Sequence, residues 1–398
     1  MIDFEHSPEL AAAQKFYRRY ASERMRPISR EFDEREHERP WDFINEAWEM
    51  SQSGRVPVAP RDERNLFTTV VIEEMSWGDA GLYYLRPGSG LGSAAILAAG
   101  TKEQKERLLG RRVGKPRWAA MAITEPGCGS DTSAIQTTAV RDGDHWILNG
   151  TKVFCTNGKL ALEESEGLTV VWATIDKSAG RSGIKPFVVE AGTPGVTVAK
   201  LESKMGMRVS DTAQLIFEDC RIPLENLLGV ADVQKPSGGG YKGAMATFDA
   251  TRPIVAATSV GISRASLELL QSLLAEEGRT PRYGMSPTRL GALERDVMEL
   301  EADIEATRLL TWRAAWMMDR GRRNSLEASM AKAKAGQVVN RVTQRVVEHL
   351  GPTGYSRRLL AEKWMRDAKI NDIFEGTQQI NLLIIARRIL RYSSAELD

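Results

Sequence analysis

Residues 145–158 read HWILNGTKVFCTNG, a short β-rich run bounded by asparagine and glycine, and its reading decides the fold. Asn149-Gly150 inside it is the strongest short-range hairpin signal in the chain, because a type I′ turn needs positive φ at both central residues. A hairpin is therefore expected at that dipeptide. On the C-terminal side the same texture continues through GLTVVWATID (167–176), IKPFVVEAGTPGVTVAKLE (184–202) and TAQLIFEDCRIP (212–223), separated by Gly, Pro and Asn. A central β domain over 121–232 follows.

On either side the apolar positions recur with helical spacing. Residues 1–120 read as helices, opened by Ser7-Pro8-Glu9, which supplies a cap, a first-turn proline and an early acid. TKEQKERLLG (101–110) offers Thr101 as an N-cap with Gln104 three residues on, and Gly110 as a stop. After VQKPSGGGYKGAM (233–245), a Gly-rich connection, helical periodicity returns over 233–398, in ERDVMELEADIEATRLLTWRAAWMMDRG (294–321) and SLEASMAKAKAGQVVNRVTQRVVEHLG (325–351). The class is α+β in the order α, β, α.

Bulk properties narrow the partners. In 398 residues, 54 Lys and Arg face 53 Asp and Glu, leaving no electrostatic footprint for nucleic acid or an anionic membrane. Cys128, Cys155 and Cys220 lack CxxC spacing, and the four histidines, His6, His37, His145 and His349, are scattered, so neither a disulfide framework nor a metal site is expected. The start, MIDFEHSPEL, has no basic segment followed by an apolar core, and no apolar run reaches the ~18 residues of a membrane span. A cytoplasmic protein acting on small ligands is expected.

Several motifs admit both a chemical and a structural reading. Gly90-x-Gly92-x-x-Ala95 superficially matches a dinucleotide fingerprint, but it lies inside the helical third and reads as a close-packing site. WAAMAITEPGCGSDTSA (118–134) runs from a strand into a turn of Pro126, Gly127, Gly129, Ser130 and Asp131, whose backbone N–H groups are free for an anion or a cofactor carbonyl. Phe154 and Thr156 set an aromatic face beside a hydroxyl. Asp249 and Arg252, in FDATRP, are spaced for a surface ion pair. In KINDIFEGTQQINLLIIARRILR (369–391), Glu375 sits at a helix junction made by Gly376-Thr377, followed by a stripe of Ile380, Leu383, Ile384, Ile389 and Leu390. A half-desolvated carboxylate there has its pKa raised and can act as a base.

Taken in order, ITEPGCGSDTSA, LNGTKVFCTNG, KMGMRVSDT, FDATRP and WMRDAKINDIFEGTQQI make the chain resemble the acyl-CoA dehydrogenase family over almost its whole length. The resemblance implies an N-terminal helical domain, a central β-barrel or sandwich and a C-terminal four-helix bundle, carrying FAD and oxidising an acyl-CoA to the 2,3-enoyl-CoA. It makes Glu375 the α-proton base opposite hydride loss to flavin N5, the thioester carbonyl being held by that residue's own N–H and a ribityl hydroxyl. It sets Met121, Ile123, Thr124, Gly129 and Ser130 along the flavin, Phe154 on its ring, Thr156 near N5, and Thr377 and Gln379 at the adenosine half. Ser130, Asp249, Arg252, Phe374 and Gly376 would line the substrate. Tyr83, Tyr84 and Arg86 would wall the acyl pocket, which suits a short, cyclic or polar acyl group. Glu348 and Gly351 would also bind the cofactor, and Arg279 or Arg282 belongs to the part that reaches a neighbouring subunit's FAD; Arg279 is the choice for the pyrophosphate. Phe154 replaces a common Trp, Met121 a common aromatic, and Glu348 a common Gln. A homotetramer passing electrons to an electron-transfer flavoprotein is implied. Same-fold flavoproteins doing oxygenation or desulfination, and a non-catalytic subunit, are the alternatives.

Overall fold

The computed structural model describes residues 5–88, 90–110, 114–233, 241–392 and 396. The chain opens with α1 (Pro8–Tyr20), a π-helical turn (Ala21–Met25), α2 (Arg26–Glu34), α3 (Trp41–Gln52), α4 (Arg64–Tyr84), α5 (Leu91–Ala99) and α6 (Lys102–Leu109). The start signals behave as the sequence predicts. Ser7 caps α1 by accepting from Leu10 N, and the Thr101–Gln104 capping box closes in both directions on α6. Gly90 and Gly92 are packing glycines: a Cβ on either would stand 2.3 Å from a β1 carbonyl oxygen, so only Gly lets α5 lie on that strand.

Seven strands form one sheet: β1 (Ala119–Ala122), β2 (Thr138–Asp142), β3 (His145–Thr156), β4 (Leu168–Thr174), β5 (Ile184–Glu190), β6 (Val196–Leu201) and β7 (Thr212–Pro223), with the short α7 (Gly158–Leu162) after β3. The order is β1-β4-β2-β3-β7-β6, with β5 paired to β4. β1 runs parallel to β4, while β3 is antiparallel to both β2 and β7. The expected hairpin at Asn149-Gly150 is absent. Those residues lie inside β3, at a register shift against β7, and the turn comes earlier, at Gly143-Asp144 between paired Asp142 and His145. Asn149 instead exchanges hydrogen bonds with Asp219 across the bulge (2.8 and 3.1 Å). Gly150, at φ +149, lets the backbone close on Thr137, whose Oγ1 would be 2.5 Å from a Cβ. Turn propensity marks a local kink here, and pairing with β7 decides which kind.

The C-terminal part comprises α8 (Tyr241–Glu276), α9 (Ala292–Asp319), α10 (Ser325–Leu350), the short α11 (Pro352–Tyr355), α12 (Ala361–Ala368) and α13 (Gln378–Leu390). Most of the expected Gly-rich connection, residues 234–240, lies outside the described residues. Val260, Leu267 and Leu270 of α8, Val297 and Leu300 of α9, and Val338, Val342 and Val346 of α10 share one core, and α13 packs on α10. Pro253 inside α8 has no N–H for the carbonyl of Asp249; Asn324 Nδ2 donates to that oxygen at 3.4 Å.

One polar cluster joins the three portions. Lys363 Nζ on α12 pairs with Asp79 (2.7 Å) and Asp367 (2.5 Å), all three buried. Ser29 of α2 donates to Asp79, and Met207 N donates to Asp367 at 2.5 Å. Asp79 itself breaks α4 with φ −164 and ψ 121, and its side chain recaps the helix by accepting from Leu82 N at 2.9 Å.

Candidate active site

Between α12 and α13 the chain passes through a 3-10 turn, Lys369–Asp372, and then a junction held at several points. Glu375 (φ +56) and Gly376 (φ +87) both take left-handed backbone, Thr377 caps α13 by accepting from Ile380 N, and buried Asn381 donates to Gly376 O at 2.9 Å. A left-handed glutamate is strained, and the surrounding bonds hold it. Its side chain reaches α8, where Thr251 Oγ1 donates to Glu375 Oε2 at 2.8 Å. Burial raises the Glu375 pKa; the Thr251 hydrogen bond and the charges of Lys332 and Arg252 oppose that rise without cancelling it. Phe374 meets Tyr84 edge-on, ring centroids 6.3 Å apart, and Lys332 Nζ stands 5.8 Å from the Phe374 ring.

Arg252 and Asp249 do pair, at 2.9 Å, but the expected surface pair is buried: Arg252 is only 4% exposed. Its Nη1 also reaches Ser329 Oγ (3.3 Å), and Ser325 donates to the Asp249 carboxylate. Arg252 Nε is buried with no protein partner among the described residues.

The loop after β1 is brought against β3. Val153 N donates to Thr124 O at 2.9 Å, while the Met121 and Ile123 side chains are buried in the core. The sequence reading missed the pin of this loop. Lys152, fully buried, donates to Glu125 Oε1 (2.7 Å) and Ile123 O (3.0 Å), and the same carboxylate accepts from Gln136 N and Thr137 N. Burial alone would raise the Glu125 acid; Lys152 and these hydrogen bonds hold it below the usual range. The signal was a lysine at an otherwise apolar strand position. Gly129 and Ser130 are exposed on the rim, beside a groove of about 440 Å³ lined by Glu125, Gly127, Cys128, Thr137 and Thr151 among others.

Phe154 answers for the register shift between Lys152 and Cys155: it stands at φ +58, 62% exposed, with Thr156 half-buried at the end of the strand. A large ring turned out of a sheet beside a hydroxyl and free backbone is a surface that a planar ring would cover.

Other expected residues are not brought to this place within one chain. Arg279 is exposed and pairs with Glu277, and α8 continues 25 residues from Thr251 to its end, a rise of about 38 Å. Glu348 pairs with Arg345 near the far end of α10, where Gly351 (φ +55) terminates the helix, and Gln379 is exposed on α13. Arg282 pairs with Glu294. Tyr83 is buried with its ring 5.1 Å from Tyr84, whereas the Arg86 guanidinium lies over the Tyr17 ring of α1. Thr251 and Lys332, both in contact with the Glu375 turn, were not foreseen; neither residue type announces itself in a helix.

Helices packed around a seven-stranded sheet, with an acid held against α8, define an architecture shared with solved structures over the whole chain. Butyryl-CoA dehydrogenase from Megasphaera elsdenii is 31% identical, with TM-score 0.84, covering 98% of this chain and 100% of that one. A chain from the structure described as "Electron transferring flavoprotein of Acidaminococcus fermentans: Towards a mechanism of flavin-based electron bifurcation" is 35% identical with TM-score 0.85, covering 98% of this chain and 100% of that one. The short-chain specific acyl-CoA dehydrogenase of rat mitochondria is 35% identical over 94% of this chain and 88% of its own. The acyl-CoA dehydrogenase N-terminal, middle and C-terminal domains match residues 7–114, 120–220 and 238–390. The chain belongs to the acyl-CoA dehydrogenase family, FAD-dependent oxidoreductases.

Proposed function

We propose that the protein dehydrogenates a short acyl-CoA thioester at Cα–Cβ, with Glu375 as the base that takes the α-proton, giving the 2,3-enoyl-CoA. The observation that carries this is the Glu375 carboxylate itself, strained into place, hydrogen-bonded to Thr251 and raised in pKa by burial. A base with a raised pKa drives proton removal from carbon better than an ordinary carboxylate at the same pH, provided it is ionised. The Glu375 N–H is not spent on a backbone hydrogen bond among the described residues, so it can donate to the thioester oxygen as charge develops there. Arg252 Nε, buried and without a protein partner among the described residues, is proposed as a second donor. Bound FAD supplies the hydride acceptor, held by Phe154, Thr156, Gly129, Ser130 and the backbone of 121–124. Thr377 and Gln379 would serve its adenosine half.

Tyr84 and Phe374 place aromatic bulk beside the base, with Tyr83 packed behind Tyr84, which suits a short acyl group; Arg86, turned to Tyr17, offers it no charge. Replacing Tyr84 by Ala is expected to raise kcat/KM for an eight-carbon thioester relative to a four-carbon one by about 10-fold or more. Residues 1–120, 121–232 and 233–398 are proposed as three domains of a cytoplasmic homotetramer. The exposed Leu382, Leu383, Ile389 and Leu390 of α13 support burial against another copy, and Arg279, Glu348 and Gly351 would then serve a neighbour's FAD. An electron-transfer flavoprotein is the proposed acceptor.

The decisive experiment is anaerobic bleaching of the flavin by thioesters of graded chain length. Glu375→Gln is expected to slow it by about 10³-fold. Bleaching at the wild-type rate in that variant would remove Glu375 from the role.

A further inference from the structure

We propose that Lys332 is a positioning residue for this base: from α10 it pins the start of the 371–376 turn through Asn371 O and keeps a positive charge beside the Phe374–Glu375 segment. This rests on the reading of Glu375 given above. Lys332 is 1% exposed and donates to Asn371 O at 2.7 Å, four residues ahead of Glu375. Burying an ammonium is costly, and a methionine would fill the same space without that cost. A role confined to packing does not explain the charge.

The neighbouring charges sort into pairs. Arg252 of α8 is matched by Asp249, and Asp372 of the turn by Lys369 at 2.8 Å. Thr251 of α8 contributes a hydroxyl and Tyr84 of α4 a buried phenol, both neutral. Glu375 and Lys332 are the acid and the base left over, and each acts on the other's ionisation. Burial pushes the Lys332 ammonium down to about 8, with Glu375 and Asp372 opposing it. Removing the ammonium therefore leaves Glu375 protonated to higher pH and loosens the carbonyl that begins its turn.

The test uses FAD-replete protein and the variants Lys332→Met, Lys332→Gln and Lys332→Arg. The rate of flavin reduction by a four-carbon thioester is followed from acid to alkaline pH, and amide exchange of residues 371–376 is followed without substrate. Loss of the charge is expected to move the acid limb upward by about one pH unit and to speed exchange in the turn, while Arg restores the limb. A purely structural lysine would change the unfolding midpoint and leave the limb in place. A folded Met or Gln variant with the wild-type limb overturns the proposal. Wild-type bleaching by Glu375→Gln would instead strike the base assignment, and the exchange data would still report on the anchor.

Discussion

Glu375 combines a left-handed backbone with a carboxylate that burial makes harder to ionise, and both features cost stability. An acid whose folded pKa lies above its unfolded value contributes stability below the unfolded value and loses it as pH rises through the folded one. Glu375→Gln, which fixes the neutral state, is therefore expected to raise the unfolding midpoint by about 2 °C at pH 8, with the gain vanishing near pH 4. Calorimetry at the two pH values checks it; a lowered midpoint at pH 8 would mean that the ionised form is the favoured one. The position of Glu375 at a helix junction was legible in the sequence, but the residues alone read equally as a helix-end acid, and its expected role as a base came from the family resemblance. Its supports were not legible: Thr251 and Lys332 are ordinary helix residues until packing brings one to the Glu375 carboxylate and the other to the Asn371 carbonyl, and the same holds for Lys152, which pins Glu125.

At the scale of elements, the strand, the caps and the α, β, α order could be read locally, since each follows from side-chain pattern or from hydrogen bonds three residues apart. The Asn149-Gly150 turn could not, because whether a kink reverses the chain depends on a partner strand some 70 residues later. That kink now carries a prediction. Gly150→Ala would meet Thr137 and an unfavourable φ together, and is expected to destabilise the fold by about 3 kcal/mol in denaturant unfolding. Thr137 also donates to Glu125, so the loop that carries Ser130 should lose FAD in the same variant. Full FAD retention with wild-type stability would show that the bulge relaxes freely.

Across the whole molecule, the apolar stripe expected on α13 exists but stays uncovered in one chain, with Leu383 at 58% and Leu390 at 56% exposure. Leu383→Glu is expected to shift the protein to a smaller species in light scattering; unchanged mass would detach that face from assembly. The Lys363 cluster is the other feature beyond local reading, for its partners come from α2, α4, α12 and the segment before β7. Lys363→Met leaves two buried acids uncompensated and is expected to cost about 3–5 kcal/mol. That cluster also fixes a timetable. Asp79 leaves the ribosome 284 residues before Lys363, a delay on the order of tens of seconds, so the N-terminal helices cannot be finished while the chain is being made. A truncated product would leave Asp79 without its cation, held by Ser29 and Leu82 N, and quality control would meet an incomplete molecule before any enzyme existed.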